Sequence, residues 1–207
     1  GGYYRAKEDG SLYVNEWYET EYGEISYYGN NGIRYIGIQS IGDTVYCFGY
    51  SGYLYKNESF TDEDGRNYYC DENGVATELN QSGWTNVSGN YLYVKDGKIL
   101  QWCKAQIDGV YYGFKSNGVM YVNCRFYLWN SDTSSYEYYR ADETGALYTN
   151  AWDTEDDISY YYGEDGRAYV DAHEINGKMY CFDSYGRLVK DRHFVTKDET
   201  HYYCDQD

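Results

Sequence analysis

The sequence predicts an all-β chain of stacked hairpins, a β-solenoid, and three observations predict it. Aromatic-rich stretches alternate with glycine turns along 207 residues that contain 23 Gly and no Pro. The turn glycines return at a nearly constant short interval, the mark of a repeat architecture in which each unit buries its face only against its neighbours. With 32 Tyr and few aliphatic residues, tyrosine must supply the buried area, its ring inward and its hydroxyl near water or a partner.

Taken in order, the turn glycines are Gly10, Gly32, Gly52, Gly74, Gly97, Gly118, Gly145, Gly166 and Gly186, spaced by 20 to 27 residues, and a tenth repeat begins at His201. Asp9, Asn31, Asn73, Asp96, Asn117 and Asp165 directly precede six of them. Asn-Gly and Asp-Gly tolerate positive φ at both central residues, so these steps predict two-residue hairpin turns. Around Gly10, Tyr4 lies six residues before, and Leu12 and Tyr13 lie two and three after. The same frame returns as Tyr112, Met120 and Tyr121 around Gly118, Tyr139, Leu147 and Tyr148 around Gly145, and Tyr160, Ala168 and Tyr169 around Gly166. Arg34 replaces the apolar residue after Gly32. Each unit therefore reads as strand, tight turn, strand. Second turns at Asp64-Gly65, Asp108-Gly109 and Asn176-Gly177 are expected to link units. The longest unit, between Gly118 and Gly145, is polar over residues 130–135, which predicts a loop rimming a groove.

A longer repeat overlies the short one. Tyr3-Tyr4-Arg5-Ala6 matches Tyr138-Tyr139-Arg140-Ala141, and Trp17 matches Trp152. Tyr46-Cys47-Phe48 matches Tyr180-Cys181-Phe182, and Tyr68-Tyr69-Cys70-Asp71 matches Tyr202-Tyr203-Cys204-Asp205, all at an offset of 134 or 135 residues. Residues 1–207 are thus expected to form one repeat domain in which 3–73 is partly duplicated at 138–207. Any site in the first copy should have a counterpart in the second. The Gly1-Gly2 start and the unfinished repeat at the end predict a piece of a longer protein.

The six cysteines have no Cys-x-x-Cys spacing, and with only three His they do not suggest zinc. Cys47 and Cys70, Cys103 and Cys124, and Cys181 and Cys204 lie 23, 21 and 23 residues apart, one repeat each. The duplication makes the first and last pairs equivalent, so these three pairings are the disulfides expected in a secreted protein. Each would add about 3 kcal/mol through the chain entropy of its closed loop.

The formal charge of −17 argues against nucleic acid and anionic membrane surfaces, and no apolar run is long enough for a membrane span. The acidic clusters at residues 61–65 and 153–157 lack the register of a calcium loop and read as solvated turns. His173, His193 and His201 have no nucleophile motif around them, and nothing singles out one carboxylate pair among 34 acidic residues. No catalytic residue, metal or cofactor is expected, and the chain is read as monomeric.

An aromatic pair, an Asp/Asn-Gly turn, an apolar residue two after the glycine and a Trp further on resemble the cell-wall-binding repeats of Gram-positive bacteria. That superfamily includes choline-binding modules, glucan-binding repeats of glucansucrases and carbohydrate-binding repeats of clostridial toxins. The resemblance covers essentially the whole chain. It implies a left-handed β-solenoid with ligands in grooves between hairpins, on a secreted or cell-surface protein. Choline-binding repeats carry a Gly-Trp step in nearly every unit, whereas this chain has five Trp, irregularly placed, and two Met, Met120 and Met179. Too few walls are left for a cation cage at every junction.

Flat rings with polar tips suit sugar stacking. Most tyrosines must be core, so the candidates for sugar contact are the tryptophans. Trp17 and Trp152 are duplicated, Trp129 lies in the long unit, and Trp84 and Trp102 complete the set, with Tyr127, Tyr28 and Tyr162 beside them. The expected function is non-catalytic binding of a neutral glucan. The glucan-binding resemblance implies an α-glucan such as starch or maltooligosaccharides. A choline or teichoic-acid anchor and a ligand-free spacer are the alternatives.

Overall fold

Every regular element of the described residues, 2–206, is a short antiparallel strand in this computed structural model; there are 20 strands and no helix among them. The sequence makes this unavoidable. Aromatic and β-branched residues favour a pleated, half-buried surface, and a glycine roughly every 20 residues interrupts any helix.

The strands fall into two compact units. Residues 2–101 with 116–119 hold β1 (Glu16–Glu19) paired with β2 (Ile25–Tyr28), and β3 (Gly37–Ile41) with β4 (Thr44–Phe48). They also hold a three-stranded sheet of β5 (Glu58–Thr61), β6 (Asn67–Cys70) and β7 (Ala76–Glu78), and another of β8 (Gly83–Val87), β9 (Asn90–Lys95) and β10 (Lys98–Ile99). Residues 102–115 with 120–206 hold five hairpins. These are β11 (Cys103–Ile107) with β12 (Val110–Phe114), β13 (Cys124–Asn130) with β14 (Ser135–Ala141), and β15 (Ala151–Glu155) with β16 (Ile158–Tyr162). The last two are β17 (Asp171–Ile175) with β18 (Lys178–Phe182), and β19 (Arg192–Val195) with β20 (His201–Cys204).

The repeat turns differ from expectation in kind. At Asn73-Gly74 only the glycine has positive φ, at +82°. The Gly74 N–H donates to the Asp71 carbonyl (3.0 Å), and the Asp71 N–H to that of Val75 (3.0 Å). The Asp71 carboxylate also accepts the backbone N–H groups of Asn73 (2.9 Å) and Val75 (3.0 Å). Asp142 and Asp183 hold their turns in the same way. In these three turns the signal is an Asp three residues before the glycine, because its side chain satisfies amides that a tight turn leaves open. Around Gly10, Gly32, Gly118 and Gly166 the Asp or Asn directly before the glycine accepts the amide two residues on instead. Positive φ at both central residues occurs instead at the hairpin tips Ser88-Gly89, Asp108-Gly109 and Asn176-Gly177, so that the last two join strands within a hairpin rather than linking units. Of the repeat glycines, Gly97 tips a hairpin with Asp96 in this way.

After each repeat turn the chain folds back, and the residue two past the glycine bridges its own hairpin, as Leu54 does to Phe48, Leu147 to Ala141 and Leu188 to Phe182. The same residue donates its N–H to an earlier hairpin: Leu54 to Ile25 (2.7 Å), Leu147 to Tyr111 (2.8 Å), Leu188 to Ser159 (2.8 Å). The glycine itself lies on the corresponding residue of the preceding repeat. A Cβ on Gly74 would sit 2.6 Å from Leu54 Cδ2, and one on Gly145 would sit 2.3 Å from Met120 Cε. Where it is made, that contact ties a turn to its predecessor; at Gly97 it is absent.

The interior is a series of small clusters. One joins Tyr69, Leu79, Val87, Leu92, Val94 and Val119; another joins Phe126, Leu128, Tyr139, Ala141 and Leu147. Tyr69, Tyr139 and Tyr162 are among the most deeply buried side chains, as the tyrosine-rich composition requires.

Candidate binding surfaces

Trp17 stands on the outer face of β1 opposite Tyr27 of β2. Its ring meets Tyr27 edge-on (5.0 Å, 66°) and Tyr46 of β4 edge-on (5.1 Å, 73°), with Phe48 behind (6.0 Å, 32°). Trp152 on β15 repeats the arrangement against Tyr161 (5.1 Å, 68°), Tyr180 (5.0 Å, 70°) and Phe182 (5.9 Å, 36°). Tyr35 and Tyr169 close the two sets from the same side, 5.2 Å from Tyr27 and 5.1 Å from Tyr161, both at 44°. Each Trp keeps about two-fifths of its surface open, 41% and 38%, so one face is held and another is presented. Trp17, Tyr18 and Tyr46 line a cavity of about 460 Å³ whose rim carries Glu19, Lys56 and Asn73. The edges of the two copies differ. Arg5 lies over the Tyr18 ring at 3.6 Å, whereas its equivalent Arg140 faces Asp153 at 3.7 Å.

The long unit forms the second surface. In β13 and β14 the register places Trp129 opposite Tyr136 and Tyr127 opposite Tyr138 on one face, with Phe126, Leu128 and Tyr139 on the other. The exposed rings touch in series. Trp129 meets Tyr136 at 5.0 Å, Tyr136 meets Tyr127 at 5.1 Å, Tyr127 meets Tyr138 at 6.2 Å, and Tyr138 meets Tyr185 at 6.0 Å. Beside this strip lies a cavity of about 470 Å³ lined by Tyr136, Tyr138, Phe182, Tyr185 and Phe194. Another of about 390 Å³ shares Tyr136, Tyr138 and Lys197 with it and is lined further by Glu137, Asp165, Arg167 and His173. Burial works against ionisation of Glu137. Hydrogen bonds from Tyr139 (2.5 Å), Asn130 (2.7 Å) and Arg167 (2.9 Å) outweigh it and hold the carboxyl below its usual range. His173 stacks on Tyr169 at 4.0 Å and donates its Nε2–H to the Val170 carbonyl, which marks it as a wall rather than a reactive group. The acidic stretch after Trp152 is not simply solvated either, since Asp153 pairs with Arg125 at 2.7 Å.

The remaining candidates separate. Trp84 packs edge-on against Tyr93 at 5.1 Å and is partly open. Trp102 is 69% exposed and has φ +49°. Tyr28 and Tyr162, expected beside the tryptophans, are 4% and 1% exposed. Their rings point into the interior, and burial raises the Tyr162 hydroxyl to about 12, partly countered by Arg125. Neither offers a face to a ligand. Tyr27, Tyr46, Tyr136, Tyr138 and Tyr185 were not singled out from the sequence. Pairing the strands on either side of residues 130–135 would have brought Tyr136 and Tyr138 opposite Trp129 and Tyr127.

No disulfide is closed among the described residues, contrary to expectation. Two of the expected pairs are nonetheless neighbours: Cys47 and Cys70 pack in one buried cluster, and Cys181 and Cys204 line one cavity. Cys103 and Cys124 open β11 and β13, opposite Phe114 and Ala141.

No family model matches the chain. It is 26% identical over 206 residues to Glucosyltransferase-I of Streptococcus downei, a match covering 94% of this chain and 12% of that protein. It is 26% identical over 192 residues to Glucosyltransferase-S of the same organism, covering 87% and 14%. The chain thus spans about an eighth of the length of these relatives. Among solved structures it is similar to choline-binding protein F of Streptococcus pneumoniae, at 20% identity and a TM-score of 0.46, covering 97% of this chain and 75% of that one.

Proposed function

We propose that this chain is a non-catalytic, monomeric carbohydrate-binding module of a secreted or cell-surface protein, and that it holds a neutral glucan by ring stacking. The observation that carries this reading is the twin platform: Trp17 and Trp152, each walled by two tyrosines in nearly identical geometry and each left partly open. Such a platform offers an apolar face to a pyranose ring, and the polar groups beside it bond the hydroxyls. The rim at Trp17 carries both Lys56 and Glu19, a balance that suits an uncharged ligand better than a cation. The likeness to glucosyltransferases favours an α-glucan, with starch or dextran as first ligands to try. Shallow surfaces bind one sugar weakly, and several on one chain gain avidity on a polymer.

Affinity electrophoresis in starch, dextran or plain gels tests the reading. Retardation by a glucan is expected, and Trp17→Ala and Trp152→Ala should each weaken it about tenfold, the scale of one lost ring contact. Unretarded migration in every glucan, with elution from an amine resin by choline, would replace the proposed ligand.

A further inference from the structure

The 134-residue duplication carries a pair of thiols as well as a tryptophan platform. Cys47 on β4 packs with Cys70 on β6 in one buried cluster, and their copies Cys181 on β18 and Cys204 on β20 line one cavity. In both copies one cysteine lies between the two rings that back the Trp, Tyr46 and Phe48 in the first and Tyr180 and Phe182 in the second. The surroundings differ. Cys47 and Cys70 are both 0% exposed, packed with Tyr68, Ile38, Tyr55 and Phe60. Cys181 is buried and Cys204 is half-buried, and the two line an open cavity of about 360 Å³ with Lys178, Tyr202 and Tyr203.

We propose that Cys181 and Cys204 are a site of reversible covalent cross-linking on the folded protein, closed by a small disulfide, and that Cys47 and Cys70 are sealed against the same reagent. The thiolate of Cys204 attacks one sulfur of the reagent R–S–S–R, forming a mixed disulfide and releasing R–S⁻, which takes a proton. Cys181 then gives up its proton and attacks the Cys204 sulfur, closing the Cys181–Cys204 bond and expelling the second R–S⁻, protonated in turn to R–SH. Two protein thiols are oxidised and one reagent disulfide is reduced to two thiols. The order follows from access, since Cys181 is buried and Cys204 is half-buried; burial also pushes the Cys181 thiol up, so it is harder to ionise. The product ties β20 to the strand that carries Tyr180 and Phe182 against Trp152.

The test treats the folded, reduced protein with oxidised glutathione, alkylates remaining thiols, and maps the peptides by mass spectrometry with and without prior denaturation. A Cys181–Cys204 cross-linked peptide is expected, with Cys47 and Cys70 still reduced and alkylated only after denaturation. The thermal midpoint should rise by several degrees and fall back with dithiothreitol. In Cys181→Ser the reaction should stop at glutathione on Cys204. Free Cys181 and Cys204 after treatment, a mixed disulfide that persists in the unmutated chain, or equally fast linkage of Cys47 to Cys70 would each overturn the proposal.

Discussion

Trp102 occupies a position that recurs just before a hairpin strand, where the chain turns through positive φ. Asn15, Asn57, Asn123 and Asn150 hold it at φ between +46° and +53°, and each donates its N–H back across the hairpin. Trp102 does the same at +49°, donating to Lys115 (3.1 Å). Asn is at ease in this region and a bulky ring is not. Trp102→Asn should therefore raise stability by about 0.5–1 kcal/mol, read as a higher denaturant midpoint; an unchanged or lower midpoint would count against strain at this residue. Glu137 makes the opposite kind of prediction. Its folded-state carboxyl lies below the ordinary value of 4.5, so its stabilising effect is present above that pH and is lost as pH falls through the folded value. Glu137→Gln should lower the melting temperature at pH 7 and flatten its decline between pH 5 and 3, as followed by thermal melts across that range.

At the scale of the element, the repeat glycine is both a conformational and a packing requirement. Gly10 and Gly74 share positive φ (+84° and +82°), but a Cβ on Gly10 would meet nothing within 4 Å, while one on Gly74 would meet Leu54 at 2.6 Å. Both alanine variants should lose about 1 kcal/mol from the backbone alone, and Gly74→Ala a further 1–3 kcal/mol from overpacking; equal losses in chemical denaturation would remove the inter-repeat contact. This layer was half legible in the sequence. The period, the apolar residue two past the glycine and the aromatic frame all mark real contacts. The dipeptide misled about the kind of turn only. Asp9, Asn31, Asn117 and Asp165 do accept the amide two residues on, while at Gly74, Gly145 and Gly186 the turn is held by a carboxylate three residues before the glycine, at Asp71, Asp142 and Asp183. Trp17, Trp152 and Trp129 stand out in the sequence because they break the pattern, and the structure leaves each of them partly exposed. Tyr28 and Tyr162 were misplaced because the face a strand turns outward depends on register, which hairpin pairing alone decides.

At the scale of the whole molecule, the duplication makes stoichiometry the decisive measurement. Two copies of one ring geometry predict two binding events per chain for a short oligosaccharide, with separate affinities because Tyr18 at one edge is Asp153 at the other. Isothermal titration should lose one of these two events in Trp17→Ala and the other in Trp152→Ala; if either single variant abolishes all heat, the copies are not independent sites. The strip from Trp129 to Tyr185 would add a third event, removed by Trp129→Ala.

The backbone bond from each residue two past a repeat glycine to an earlier hairpin has a mechanical meaning. Leu54 to Ile25, Leu147 to Tyr111 and Leu188 to Ser159 each join segments 29 to 36 residues apart. Within either unit, a pull along the chain meets such links one after another rather than in parallel, as a zipper does. Each release frees one repeat of 20 to 27 residues, about 7–9 nm of extended chain. Under load at a surface, such a chain would lengthen in small steps and dissipate work, and the hairpins not yet reached would keep their rings in place.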